Sequence, residues 1–580
     1  MLAVLLVLVM IAAACGSDAS SSDSTASGDA EIDFASEASS SAANRVDTDD
    51  SADMEETFAD APASDEAMAE GVQGAEESGS APATTVAPSD NAAENDSRYR
   101  EGVENGRGLF DTIDPNQEPE EIPEPIESVD PRFTDYGIRT FVETSDDPLS
   151  TFALDVDTGS YTIGRRFIEE GNLPPRESVR VEEYVNAFDY DYDVPRSGLD
   201  VSVDGGPSPF DEDTYLIRIG IQAEIVEDAE RQPVALTFVI DTSGSMDRAD
   251  RLGLVKESLS LLVEELHRDD TVAIVTYSGD SDVVLEPTEV RDRDEILEAI
   301  DDLRTGGSTN LQAGLDAGYD LARDAFRDDG VNRVIVASDG LANAGITDVD
   351  RLSERIRRDA DAGIGLVTVG YGLNGFNDTT MEQLADQGDG FYAYVDTIAE
   401  AERLFSEDLT STLITAAIDA KIQVEFDEDV VDEYRLIGYE NRGVRDNDFR
   451  NDEIDAGELG AGHQATALYE IVLDRSVDID DRAELGVVRL RWEDPETGEV
   501  NEIDEDIDMR DIEARWTDTP ADFQQATVVA AFAELLRDNP YADNVDLEDL
   551  RDEADSLGRD IDTDEFDAFA DLVEEAYDLS

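Results

Sequence analysis

The chain is poor in cysteine, histidine and lysine: one Cys, two His and, among 42 basic residues, only Lys256 and Lys421 as lysines. A lone thiol, Cys15, excludes an intrachain disulfide and leaves no thiol nucleophile elsewhere. Neither the G-x-S-x-G elbow of serine hydrolases nor the H-E-x-x-H helix of zinc peptidases occurs. His267 reads as a solvated residue at a helix end. His463, in Gly460-Ala461-Gly462-His463-Gln464, reads as a loop or strand-edge residue, with catalysis the alternative. Positive charge is scarce against 143 acidic residues, and the net charge is −101. Such a chain avoids nucleic acid and anionic membrane surfaces. Self-repulsion opposes its compact state unless salt screens it, which suits a saline habitat. Long apolar runs are missing too. Leu2–Ala14 is too short to span a bilayer, and no transmembrane segment follows it.

That apolar run ends at Cys15 and reads as a signal h-region, residues 1–15. It resembles a lipoprotein signal, although Ala12 stands where leucine is usual and no basic residue precedes Arg45. The resemblance implies that Cys15 is lipidated and that the chain is exported and lipid-anchored at the outer face of the cell membrane. An uncleaved apolar leader is the alternative. Residues 16–130 are rich in Ala, Ser, Asp, Glu and Gly without an apolar period, so a disordered acidic linker is expected. Its r.m.s. reach is roughly 60 Å, more with charge repulsion.

What is present is most informative at Asp241-Thr242-Ser243-Gly244-Ser245, directly after the apolar run Val234–Ile240. The run predicts a buried parallel strand, and in open α/β sheets ligands sit at the carboxyl ends of strands. Asp241, Ser243 and Ser245 place a carboxylate and two hydroxyls at alternate positions. This hard-oxygen set suits Mg²⁺, Mn²⁺ or Ca²⁺, not zinc or copper. Thr309, in Gly306-Gly307-Ser308-Thr309-Asn310, and Asp339, after the apolar Val334–Ala337, complete the candidates. Taken singly, each piece is also ordinary helix-cap and turn chemistry.

These residues carry a resemblance to the von Willebrand factor type A (VWA) domain over 231–410. The five residues match its metal-ion-dependent adhesion site. The resemblance implies a divalent cation held by Ser243, Ser245 and Thr309, with Asp241 and Asp339 bound directly or through water. One vertex is then open to an exposed Asp or Glu of a protein partner. Strands alternating with helices predict a doubly wound, Rossmann-like sheet closed by a helix over Glu400–Leu409.

On either side, Asp155-Val156-Asp157-Thr158-Gly159-Ser160-Tyr161 and Leu173-Pro174-Pro175 resemble the N-terminal module of a bacterial VWA lipoprotein family, placed at 145–230. Tyr434–Arg442 and Asp455-Ala456-Gly457-Glu458 resemble that family's C-terminal domain of unknown function. A β-rich, sandwich-like region at 411–515 and a helical region at 516–580 are expected. Tyr215–Ile225 alternates with a period of two and is a candidate partner for the late strands. Asp155 and Asp157 could suggest a second metal but read better as turn caps. Asp446-Asn447-Asp448 and Asp452-Glu453 lack EF-hand spacing and read as solvated. The leading expectation is a surface-anchored, metal-dependent adhesion or scaffold protein. An accessory subunit of a cell-envelope complex is the alternative, and an enzyme is disfavoured.

Overall fold

The computed structural model describes residues 133–580, apart from 155, 212, 227–230, 341–348, 374–375, 453, 455, 478, 480–481, 496 and 562. Cys15, the 16–130 linker and Asp155 lie outside the described residues.

Strands β1 (Val142–Glu143) and β2 (Leu149–Ala153) precede helices α1 (Gly159–Glu169) and α2 (Val181–Val185), followed by β3 (Leu199–Pro207) and β4 (Tyr215–Ala223). The central portion begins with β5 (Val234–Asp241), α3 (Leu254–Glu265), β6 (Thr271–Tyr277), β7 (Ser281–Glu289), α4 (Arg293–Asp301) and α5 (Leu311–Asp324). It continues through β8 (Val331–Ser338), α6 (Val349–Ala360), β9 (Ile364–Tyr371), α7 (Asp378–Asp386) and β10 (Tyr392–Val395). The short helices α8 (Ile398–Glu402) and α9 (Leu409–Leu413) lead out of it. Strands β11 (Thr415–Phe426), β12 (Val431–Ile437), β13 (Gly457–Gly460), β14 (Gln464–Leu473), β15 (Glu484–Glu493) and β16 (Val500–Asp508) come next. Helices α10 (Ala521–Leu536), α11 (Leu547–Ile561) and α12 (Asp564–Leu579) end the chain.

The central sheet has the order β10-β9-β8-β5-β6-β7 and is parallel except for β7, which runs antiparallel to β6. Every residue of β5 is buried because helices cover both faces, so its apolar run does not alternate. Val255, Leu259 and Ile296 of α3 and α4 fill one face; Leu315, Tyr319 and Met381 of α5 and α7 fill the other. This is a doubly wound α/β domain. Strand order reverses between β5 and β8, which opens a crevice at their carboxyl ends.

The remaining strands form two antiparallel sheets, β1-β12-β14-β4-β3 and β13-β11-β15-β16, the latter with β2 on β11. Ile217, Ile219 and Ile221 of β4 share one core with Ile422, Val424, Val488 and Leu490 of the facing sheet, so the two form a sandwich. The pairing expected for the Tyr215 strand is present: β4 lies antiparallel to β14, from Tyr215 opposite Ile471 to Gln222 opposite Gln464. The segments before and after the α/β domain therefore build the same sheets, and that domain is inserted between β4 and β11. The helices interleave likewise, with Tyr184 and Phe188 of the early segment packed among Phe532, Phe566 and Phe569.

The single closing helix expected over Glu400–Leu409 is instead divided into α8, a wide turn over Arg403–Glu407, and α9. Arg403 bonds back to Glu400 (2.7 Å) and forward to Asp408 (2.8 Å), which stabilises the break. Among the described residues no helix is long and apolar enough to cross a membrane.

Candidate metal centre

Asp241 is the last residue of β5 and is wholly buried. Its Oδ1 accepts the Ser243 amide at 2.8 Å, a turn that brings the Ser243 and Ser245 hydroxyls within 2.9 Å of each other. Strand register supplies the next component. Ile240 lies opposite Ala337, so β8 delivers Ser338 and Asp339 beside Asp241, and the Ser338 hydroxyl donates to Asp241 Oδ2 at 3.1 Å. Gly340 then turns the chain at φ +68°, where an added Cβ would fall 2.6 Å from the Asn377 amide.

The loop carrying Thr309 joins this rim through backbone. The Gly306 amide donates to the Thr242 carbonyl at 2.7 Å, and the Gly244 amide to the Gly307 carbonyl at 3.2 Å. Thr309 is buried two residues further on, and Asn310 caps α5 by accepting the Ala313 amide at 3.2 Å. Three loops, each placed by a different strand or helix, thus bring the five sequence candidates to one rim of the sheet.

Burial, and then the charge of Asp339, push the Asp241 carboxyl up to about 6. A buried carboxylate pair of this kind calls for a cation. Sequence reasoning missed one answer to that need. Arg251, 4% exposed, donates through Nη1 to Asp339 Oδ2 and to the Ser245 carbonyl, the latter at 3.0 Å. Nothing in Ala249-Asp250-Arg251-Leu252 separates this arginine from a surface one, because its partner lies 88 positions away. The donor set of carboxylates and hydroxyls, with negative charge left over, fits a divalent cation of the Mg²⁺ type.

Comparison with known proteins shows which family the chain resembles. Residues 235–407 match the von Willebrand factor type A domain, 128–218 match von Willebrand factor, and 411–579 match "Uncharacterized protein YfbK, C-terminal". Uncharacterized protein YfbK of Escherichia coli (strain K12) is 36% identical over 445 residues, covering 72% of this chain and 76% of its own. The chain belongs to the YfbK family. An uncharacterized protein of Synechocystis sp. is 24% identical over 298 residues, covering 50% of this chain and 69% of its own. Among solved structures, a von Willebrand factor type A protein from Catenulispora acidiphila is 17% identical with a TM-score of 0.38, covering 64% of this chain and 89% of that one. Type A domains serve protein interaction and commonly bind divalent cations.

Among the described residues, the sequence candidates Asp157, His463, Asp446 and Asp452 have internal partners in this YfbK-family chain. Asp157 accepts the Tyr392 amide at 2.9 Å and pairs with Arg442 at 3.1 Å. Asp157, Glu183 and Glu382 bring carboxylate oxygens within 4.8 Å of one another, but Arg180 and Arg442 stand in the same cluster. Burial pushes Glu382 up to about 7, while the two guanidiniums oppose that rise. His463 accepts the Gly460 amide at Nδ1 (3.3 Å) and sits edge-on to Phe391; burial pushes it down to about 4. Asp446 accepts from the Thr151 hydroxyl at 2.7 Å, and Asp452 pairs with Arg491 at 2.6 Å, so both are tied into the sandwich.

Proposed function

We propose that this protein is a surface-anchored binding protein which recognises an exposed Asp or Glu of a protein partner through a divalent cation. Mg²⁺ is the first candidate, with Mn²⁺ and Ca²⁺ next. Ser243, Ser245 and Thr309 would hold the ion, with Asp241 and Asp339 bound directly or through water. The ion supplies a Lewis-acidic vertex for an incoming carboxylate. The observation that carries this reading is the Asp241–Ser338 hydrogen bond, which brings the ends of β5 and β8 together at the strand-order reversal beside the paired Ser243 and Ser245 hydroxyls.

Binding suits the arrangement, because the hydroxyls and carboxylates of the rim are hydrogen-bonded to one another and make a hard-oxygen set for a cation. The apolar Leu2–Ala14 leader, Cys15 and the acidic 16–130 segment support export and a lipid anchor with a long tether. Calorimetric titration with Mg²⁺, Mn²⁺ and Ca²⁺, on the wild type and on Asp241→Ala, tests the site. Heat of binding in the wild type and none in the variant is expected. A folded Asp241→Ala that still takes up the ion with unchanged affinity removes the reading.

A further inference from the structure

We infer that Arg251 is a built-in counter-cation of the metal centre, which neutralises Asp339 from within the fold and sets how tightly the divalent ion is held. The inference rests on the proposed metal site and adds a residue to it.

The Arg251–Asp339 pair is not a surface contact. The two side chains are 4% and 0% exposed, and the same guanidinium nitrogen holds the Ser245 carbonyl at 3.0 Å, on the turn that supplies two proposed ligands. The fold is also shaped for this side chain. Gly372, at the end of β9, has φ +73°, and a Cβ there would fall 2.5 Å from Arg251 Nε. Any larger residue would push the arginine off the rim.

The position of Arg251 is set from outside the α/β domain. It lies on the wide helical turn Ala249–Gly253, and its neighbour Asp250 accepts from Arg248 at 2.9 Å and from Arg166 at 3.1 Å. Arg166 belongs to α1 of the early segment and also donates to the Tyr394 hydroxyl at 3.2 Å. A helix that precedes the metal-binding domain in sequence therefore holds the turn that carries the counter-cation.

The electrostatic consequence follows from the charges. Asp241 and Asp339 bring two negative charges, and Arg251 cancels one. A divalent ion bound beside all three leaves a net positive charge for a visiting carboxylate. With Arg251 neutralised, the ion's charge would be matched by the two aspartates alone. The ion would bind more tightly and attract an outside acid less. A merely structural arginine would do the opposite, because its loss would disorder Asp339 and weaken the ion.

The test is calorimetric Mg²⁺ titration of the full chain as wild type, Arg251→Gln, Arg251→Lys and Arg166→Gln. We expect Arg251→Gln to bind Mg²⁺ about tenfold or more tightly, since a unit charge within a few ångströms acts at least this strongly in a partly buried site. Arg251→Lys should stay close to the wild type, and Arg166→Gln should move in the direction of Arg251→Gln. In EDTA, Arg251→Gln should melt below the wild type, and added Mg²⁺ should raise its melting temperature by more. Equal or weaker Mg²⁺ binding by Arg251→Gln overturns the inference while leaving the metal site standing. Absence of Mg²⁺, Mn²⁺ and Ca²⁺ binding in a folded wild type removes the site and the inference together. Should Arg251→Gln fail to fold, unchanged or weakened binding by Arg166→Gln overturns the inference by itself.

Discussion

Arg180 and Asp378 are joined by two hydrogen bonds, 2.6 and 3.3 Å long, across 198 positions of sequence. Arg180 precedes α2 of the early segment, and Asp378 is the first residue of α7 in the inserted domain. Glu183 pairs with the same arginine, and Arg442 ties Asp157 (3.1 Å) and Asp386 (2.8 Å) from the sandwich side. Arginines of the outer unit thus hold the face of the α/β domain that carries α7. Gly340, next to Asp339, lies against Asn377 at the start of that helix.

Arg180→Ala should be among the most damaging single changes. It leaves Asp378 and Glu183 buried without their guanidinium, and breaking a buried pair in this way costs about 3–5 kcal/mol. Denaturant unfolding of the full chain measures this. A loss below about 1 kcal/mol would show that the cluster does not hold the domain in place.

Thr309→Ala should weaken Mg²⁺ binding by about tenfold or more, since supporting groups around a bound metal alone carry effects of about that size. Its stability in EDTA should change by less than about 1 kcal/mol, because the loop is held by the Gly306 and Gly307 backbone. Unaltered Mg²⁺ affinity would strike Thr309 from the ligand set.

His463 makes acid sensitivity predictable in sign. Its folded pKa is pushed down from 6.5 to about 4 by burial, so between those values the unfolded chain binds the proton first. Stability is full above pH 6.5 and falls as pH drops toward 4. Protonation also removes Nδ1 as the acceptor for the Gly460 amide. The ring is only partly enclosed, so we expect a loss on the order of 1–2 kcal/mol, less than the full shift would imply. His463→Gln should lose correspondingly less over this range in urea unfolding; parallel pH profiles would contradict the assignment.

With a net charge of −101, the melting temperature should rise with added NaCl, most steeply at low concentration where screening changes fastest. Thermal scans across a NaCl series check this. A flat response would show that self-repulsion of the acidic surface does not limit stability.

Elements with both faces buried were legible in advance. β5 and β8 end within a residue of where their apolar runs predict, because unbroken burial leaves an unbroken apolar signature. Edge elements were not. β16, Val-Asn-Glu-Ile-Asp-Glu-Asp-Ile-Asp, was missed because an exposed edge strand can be almost wholly acidic when its partner supplies arginines. Its Glu502 lies opposite Arg491, and its Asp504 opposite Arg489. α11 was missed because its apolar stripe is thin, with Leu550, Ala554 and Leu557 buried and Leu547 and Ile561 only partly so.

By itself the sequence determined the strand-loop-helix layout of the candidate rim, because a buried strand followed by Asp-x-Ser-x-Ser is a local pattern read within a few residues. It also determined the doubly wound class, through alternating apolar periods. Only the tertiary structure decided that the α/β domain is inserted into a sandwich built from both flanking segments, and that Arg251 stands against Asp339. Those relationships join residues tens to hundreds of positions apart. Strand pairing and buried charge neutralisation depend on which surfaces meet after the chain has closed, and no local pattern records that.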